Sequence, residues 1–287
     1  TEAGDIVQEV DELVSIENVI GSNNDDYVKG NLDGNLIYGR GGDDTIDGGK
    51  STDYLEGQAG NDELIGGQGN DTLKGGSDDD NLSGGTDDDH LYGGSGDDYL
   101  DGESGKDILY GDDGDDQLLG GSGDKMHGGS GADQYDIDWS TPDDQHEEII
   151  ISDTDTGSIK VGGTELTNQF VGLLNETWHA SINNQTITAS QSDADIVFSD
   201  ENNQAIFRLK DTTIDNVSQK FNINLATLDV SSDINKGLDL LKDLTDSYNQ
   251  QLTNELSFID DANVPTIANE TDWNNIQNSI AGMTSVA

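Results

Sequence analysis

The chain has 287 residues and carries 60 Asp and Glu against 12 Lys and Arg, a formal net charge of −48. The basic residues are scattered and form no patch, which excludes nucleic acid as a partner, and with no cysteine there is neither a disulfide nor a zinc–thiolate site. Only 31 % of the chain is hydrophobic, self-repulsion opposes compaction, and no apolar run is long enough to form a transmembrane segment.

Residues 1–20 read as an acidic lead-in and N-terminal cap, with a short strand expected around Leu13–Val19. From Gly21 a nine-residue period takes over. Its blocks begin at Gly21, Gly30, Gly39, Gly48, Gly57, Gly66, Gly75, Gly84, Gly93, Gly102, Gly111, Gly120 and Gly128. The sixth position of successive blocks holds Asp26, Asn35, Asp44, Asp53, Asp62, Asp71, Asp80, Asp89, Asp98, Asp107, Asp116, Asp124 and Asp133. The eighth is apolar throughout, from Val28, Ile37, Ile46 and Leu55 to Met126 and Tyr135. One block, Gly120–His127, is a residue short, so Asp124 and Lys125 compete for its acidic slot. So acidic and glycine-rich a stretch would ordinarily be disordered; an aliphatic residue in every block argues for an ordered array instead.

Blocks such as Gly66–Lys74 (GGQGNDTLK) and Gly93–Asp101 (GGSGDDYLD) match G-G-x-G-x-D-x-U-x, the nonapeptide of calcium-binding β-helices. The sequence resembles the RTX (repeats-in-toxin) family of secreted bacterial proteins, and Asp11–Ser22 resembles the segment that often precedes such repeats. The resemblance implies a right-handed parallel β-roll over 21–139. In it the first six residues of a block form a turn, the last three a short strand, and two blocks make one coil. Calcium ions would lie between turns of successive coils, held by turn carbonyls and by the thirteen sixth-position side chains from Asp26 to Asp133. Calcium is a hard cation that takes six to eight oxygens. Residues 21–136 hold 29 acidic against six basic residues, a net charge of −23, and on the order of eleven Ca²⁺ ions would nearly cancel it.

Departures from the motif mark weaker sites. Asn35 is neutral, Lys125 adjoins the deletion, and Asn24, Asp33, Ser51, Asp78 and Asp87 stand at fourth positions where glycine is preferred. The last block, Gly128–Trp139, replaces the aliphatic residue with Tyr135 and adds Ile137 and Trp139, an apolar end such as a solenoid needs.

Residues 140–228 read as a small antiparallel β domain capping the roll. Strands are expected at Glu148–Ser152, Ser158–Val161, Thr177–Ile182, Gln185–Ala189, Asp195–Ser199 and Ala205–Leu209, with turns at Asn183–Asn184 and Glu201–Asn203. Residues 229–287 read as a helical segment. Ile234, Leu238, Leu241, Tyr248 and Leu252 form one stripe, a second patch follows Pro265, and the tail Ser279–Ala287 is compatible with the family's C-terminal secretion signal.

No catalytic constellation is legible. His146-Glu147-Glu148 is not the H-E-x-x-H of a zinc protease, and the four histidines lack ligand spacing. Trp139, Trp178 and Trp273 read as core or cap residues rather than sugar platforms. The fold class expected is thus all-β, a calcium-bound solenoid with a β cap and a helical end. The expected function is that of the calcium-binding C-terminal region of a type I-secreted RTX protein, bacterial and extracellular or cell-surface. Its export would need no cleaved N-terminal signal, and its partners are calcium and the secretion machinery. The alternative is an accessory or receptor- and glycan-binding module of an enzyme, adhesin or toxin whose active region lies upstream.

Overall fold

A computed structural model describes residues 17–138, 147–166, 170–172, 177–182, 185–201, 203–213, 216–223 and 225–227. The helical and secretion-signal readings of 229–287, most of the lead-in, Trp139, His146 and the turn Asn183–Asn184 lie outside the described residues. Thr1–Thr227 makes one compact unit. Among the described residues no helix is long and apolar enough to cross a membrane.

Two parallel ladders carry the nine-residue period. The first sheet runs through Asn18–Ile20, Leu36–Tyr38, Tyr54–Ala59, Thr72–Ser77, His90–Ser95, Ile108–Asp113, Lys125–Ser130 and Ile149–Ser152. The second takes the alternate blocks, from Tyr27–Lys29 and Thr45–Lys50 to Ala132–Ile137 and Thr156–Val161. Partners are 18 residues apart, as in Leu55↔Leu73 and Leu64↔Leu82, so two blocks make one coil. The result is a parallel β-solenoid of about seven turns, with almost no helix among the described residues.

The strands are longer than the family pattern implied. A typical one spans six residues, the last three of a block and the first three of the next, as in Thr45–Lys50. The register skips the first glycine, pairing Asp47 with Ile65 and then Gly49 with Gly67, so the turn proper is only about three residues.

Alternation sets the core. The eighth-position side chains from Ile37 to Tyr135 are fully buried, and Val28, in the first coil, is 8 % exposed. Each aliphatic group stacks on its equivalents one coil above and below, which is the only burial open to a chain with one such residue in nine.

The parallel ladder does not stop with the last repeat. Ile149–Ser152 pairs with Lys125–Ser130, and Thr156–Val161 with Ala132–Ile137, both parallel. Ile149–Ser152 then pairs, again in parallel, with Ala205–Leu209. From there the first sheet continues as an antiparallel meander through Asp195–Ser199, Gln185–Ser192, Thr177–Ile182 and Phe170–Gly172. The antiparallel part is thus an extension of one ladder of the roll. Its core includes Trp178, 1 % exposed, and the stacked rings of Phe198 and Phe207, 4.3 Å apart. A five-residue helix, Val217–Phe221, sets Phe221 edge-on to Tyr135 at 6.2 Å.

Candidate metal centre

Each turn delivers its sixth-position side chain inward. All thirteen such residues are buried, with Asp89, Asp107, Asp124 and Asp133 at 0 % exposure. They form two rows, one for each line of turns: Asp26, Asp44, Asp62, Asp80, Asp98, Asp116 and Asp133 in the first, and Asn35, Asp53, Asp71, Asp89, Asp107 and Asp124 in the second. Within a row every Oδ1 after the first is tied to the coil before it. Asp62 N donates to Asp80 Oδ1 at 2.8 Å, Asp80 N to Asp98 Oδ1 at 2.8 Å, and Asp53 N to Asp71 Oδ1 at 2.7 Å. The one-residue deletion is absorbed without breaking the row, since Asp107 N reaches Asp124 Oδ1 at 2.8 Å.

The second carboxylate oxygen separates the residues. In Asp44, Asp53, Asp62, Asp71, Asp80, Asp89, Asp98, Asp107, Asp116 and Asp133, Oδ2 is buried with no hydrogen-bond partner. Asp26 Oδ2 instead accepts from Ser22 N at 2.5 Å, and Asp124 Oδ2 from Gly121 N at 2.7 Å. Asn35, with an amide in place of the carboxylate, accepts from Asn31 N at 2.9 Å. The closed positions thus fall at Asn35, at Asp124 in the block with the deletion, and at the outermost aspartate, whereas the blocks of Ser51, Asp78 and Asp87, also marked as departures, keep open oxygens at Asp53, Asp80 and Asp89.

A buried carboxylate oxygen without a partner is costly, and ten in two rows imply a missing counter-charge. Burial, the dominant cause, pushes the Asp80 and Asp107 carboxyls up to about 8 and those of Asp44, Asp71, Asp89, Asp116 and Asp133 to about 7. Neighbouring carboxylates add to the rise, Asp98 and Asp62 acting on Asp80. Among the described residues no three Asp, Glu, His or Cys side chains converge on a point. A cation here would therefore draw most of its oxygens from turn carbonyls, with one or two carboxylates supplying the charge. That donor set, all oxygen and formed by short flexible turns, suits Ca²⁺.

The first glycine of each block makes room for the carboxylate. A Cβ on Gly39 would lie 2.1 Å from Asp44 Oδ2, and one on Gly75 2.2 Å from Asp80 Oδ2. Fourth-position departures are accommodated: Ser51, Asp78 and Asp87 take positive φ of 70°, 79° and 80°. Arg40, Gln58, Glu103 and Asp112, all at second positions, do likewise, although nothing in the motif marks them.

A further ladder is hidden from a block-by-block reading of the sequence. In the first row of turns, fifth-position side chains accept from the next coil: Asp43 N to Asp25 Oδ1, Asn61 N to Asp43 Oδ1, Asp79 N to Asn61 Oδ1 and Asp97 N to Asp79 Oδ1, at 2.9–3.1 Å. The 18-residue recurrence of Asp or Asn at 25, 43, 61, 79, 97 and 115 was the available signal; the alternate blocks hold Gly34, Thr52, Asn70, Asp88 and Lys106 at the same place, where Lys106 N donates to Asp88 Oδ1 at 2.9 Å.

Repeating turns, a stacked aliphatic core and rows of open carboxylates define a nonapeptide solenoid whose turns offer oxygen donors to a hard cation. Residues 20–55, 48–82, 56–91, 74–109, 92–124 and 104–135 match the RTX calcium-binding nonapeptide repeat. The segment 20–135 is an array of these repeats. No curated protein matches the chain.

Proposed function

We propose that this chain is a calcium-dependent folding module of a type I-secreted RTX protein, taking its structure only after export. The ten buried, unpartnered Oδ2 atoms support this reading most directly. At low calcium, 29 acidic residues within 21–136 repel one another and the chain stays unfolded, a form suited to passage through a secretion channel. Calcium supplies the positive charge that lets the carboxylates be buried while ionised. Millimolar extracellular calcium matches the dissociation constants of about 10⁻⁴–10⁻³ M of extracellular calcium modules. Because the turns that offer the oxygens exist only in the coiled state, binding and folding are one event. The reading gives the chain a binding and presenting role and assigns it no reaction.

The cation is the discriminating variable. Mg²⁺ demands octahedral geometry and gives up water reluctantly, so it should not replace Ca²⁺ in these turns. Titration of the unfolded chain with each ion, followed by circular dichroism, is expected to show a cooperative gain of β structure with Ca²⁺ only. Equal recovery with Mg²⁺ at the same millimolar concentration would contradict the site.

A further inference from the structure

The carboxylate row that reaches Asp133 is continued by a residue the nonapeptide pattern does not mark. Beyond the matched repeats, residues 153–161 (DTDTGSIKV) add one more turn and strand to the roll. Ser158, Ile159 and Lys160 pair with Gln134, Tyr135 and Asp136. On the preceding strand, Ile151 pairs with Met126 and Ser152 with His127. Asp153 therefore stands where a block has its first glycine, and Gly157, paired with Asp133, stands where it has its aspartate. The two residue types have changed places.

The space inside the turn follows the exchange. A Cβ on Gly128, an ordinary first position, would lie 2.0 Å from Asp133 Oδ2. A Cβ on Gly157 would lie 2.8 Å from Asp153 Oδ2 and 3.0 Å from the Asp133 carbonyl oxygen. Either way one carboxylate fills the turn and glycine faces it. Asp153 is 6 % exposed. Its Oδ1 accepts from Asp155 N at 2.8 Å, and its Oδ2, like that of Asp133, is buried, with the Tyr135 hydroxyl beside the Asp153 carboxylate as a donor. The buried hydroxyl of Tyr135 accepts from Gly128 N at 2.9 Å and adds a third oxygen beside Asp133. Lys220 Nζ donates to the backbone carbonyl of Asp153 at 3.2 Å rather than to its carboxylate. An exchange made only for packing would bury two adjacent carboxylates whose mutual repulsion is offset at Asp153, by Lys220 and the Tyr135 hydroxyl, but not at Asp133.

We propose that Asp133, Asp153 and the Tyr135 hydroxyl, with the Asp133 carbonyl, form a terminal Ca²⁺ site one turn beyond the recognised repeats. The proposal rests on the calcium reading of the repeats. The ion at this site joins the roll to the short helix packed on its end. Asp153 carries the Lys220 contact and Tyr135 the Phe221 contact, so occupancy governs the seating of helix Val217–Phe221 there.

Native mass spectrometry of the full chain in excess calcium tests this by counting ions. Asp153→Asn keeps the shape of the side chain and removes its charge; it is expected to carry one ion fewer than the unsubstituted chain, with the β spectrum of the repeats retained. Ions bound equally by both chains overturn the terminal site alone, whereas no ions on either chain overturn the repeat reading instead. Should Asp153→Asn not reach the folded spectrum, Tyr135→Phe gives the second measurement. Hydrogen exchange across 153–161 and 217–221 is expected to reach protection at several-fold higher calcium in that variant, with 44–107 unchanged. An unshifted midpoint at 153–161 overturns the proposal.

Discussion

The two oxygens of one carboxylate do different work in this roll. In Asp80, Oδ1 is committed to the chain through Asp62 N, while Oδ2 is open. Asp80→Asn therefore keeps an acceptor for the ladder and removes the charge that would hold the cation. Asp124 differs, because Gly121 N and Asp107 N occupy both its oxygens. We expect Asp80→Asn to raise the calcium midpoint several-fold and to lower the number of ions bound, and Asp124→Asn, which leaves one buried N–H without its acceptor, to raise the midpoint but leave the number of ions bound unchanged. Isothermal titration calorimetry of the two variants checks this; an equal loss at both positions would remove the distinction between open and closed oxygens. Backbone strain is separable from binding. Gln58 holds φ at 83° where the equivalent residues Gly49 and Gly76 hold 102° and 132°. Side chains there cost about 1–2 kcal/mol, so Gln58→Gly should stabilise the calcium-bound form by about 1 kcal/mol in denaturant unfolding.

At the scale of the turn, the pH response follows from the rows of carboxylates. The folded-state pKa values stand at about 6–8 for Asp44, Asp53, Asp62, Asp71, Asp80, Asp89, Asp98, Asp107, Asp116 and Asp133, against about 3.9 in an unfolded chain. A raised acid pKa means that the folded, ion-free form binds more protons than the unfolded one. Its stability therefore falls as pH rises from about 4 through 8 and is recovered on acidification. In excess chelator, β structure should increase as pH is lowered from 8 toward 5. In saturating calcium both end states are ionised above pH 5, so the folded signal should stay flat over the same window. A pH-independent spectrum in chelator would contradict the assignment of buried, uncompensated carboxylates.

The aliphatic column and the acidic rows were legible in the sequence because their period is a property of single positions. Four of the expected later strands, at Ile149–Ser152, Thr177–Ile182, Asp195–Ser199 and Ala205–Leu209, formed within a residue of their expected bounds, since alternation and turn residues are local signals. What was not legible depends on pairing across coils. Ninth positions of alternate blocks bring Tyr92, Tyr110 and His127 into one outward stack, with ring centroids 5.1 and 4.7 Å apart; the seventh positions alone reveal no ladder. The fifth-position ladder is visible only once every second block is compared. The exchange of Asp153 and Gly157 lies outside the motif, and only the register of Gly157 with Asp133 reveals it.

Across the whole roll, stability has a direction. At the N-terminal end Ile20 is 56 % and Leu32 70 % exposed, so the first coils bury little. At the other end Tyr135, Ile137, Ile151, Ile159, Val161 and Phe221 extend the column with large buried groups. Nearest-neighbour stacking should then propagate from the C-terminal side. Deleting 137–287 is expected to weaken calcium-induced folding of the repeats strongly, and deleting 1–38 only mildly. Calcium titrations of the two truncations give the comparison, and equal midpoints would remove the case for a C-terminal nucleus.

On the proposed function, these repeats fold because calcium neutralises carboxylates that the fold must bury. Far-ultraviolet circular dichroism of the full chain at pH 7.5, first in excess chelator and then in millimolar calcium, tests it directly. An unfolded spectrum in chelator and a cooperative transition to β structure as calcium is added are expected. A fully formed β spectrum in chelator, unchanged by calcium, would contradict it.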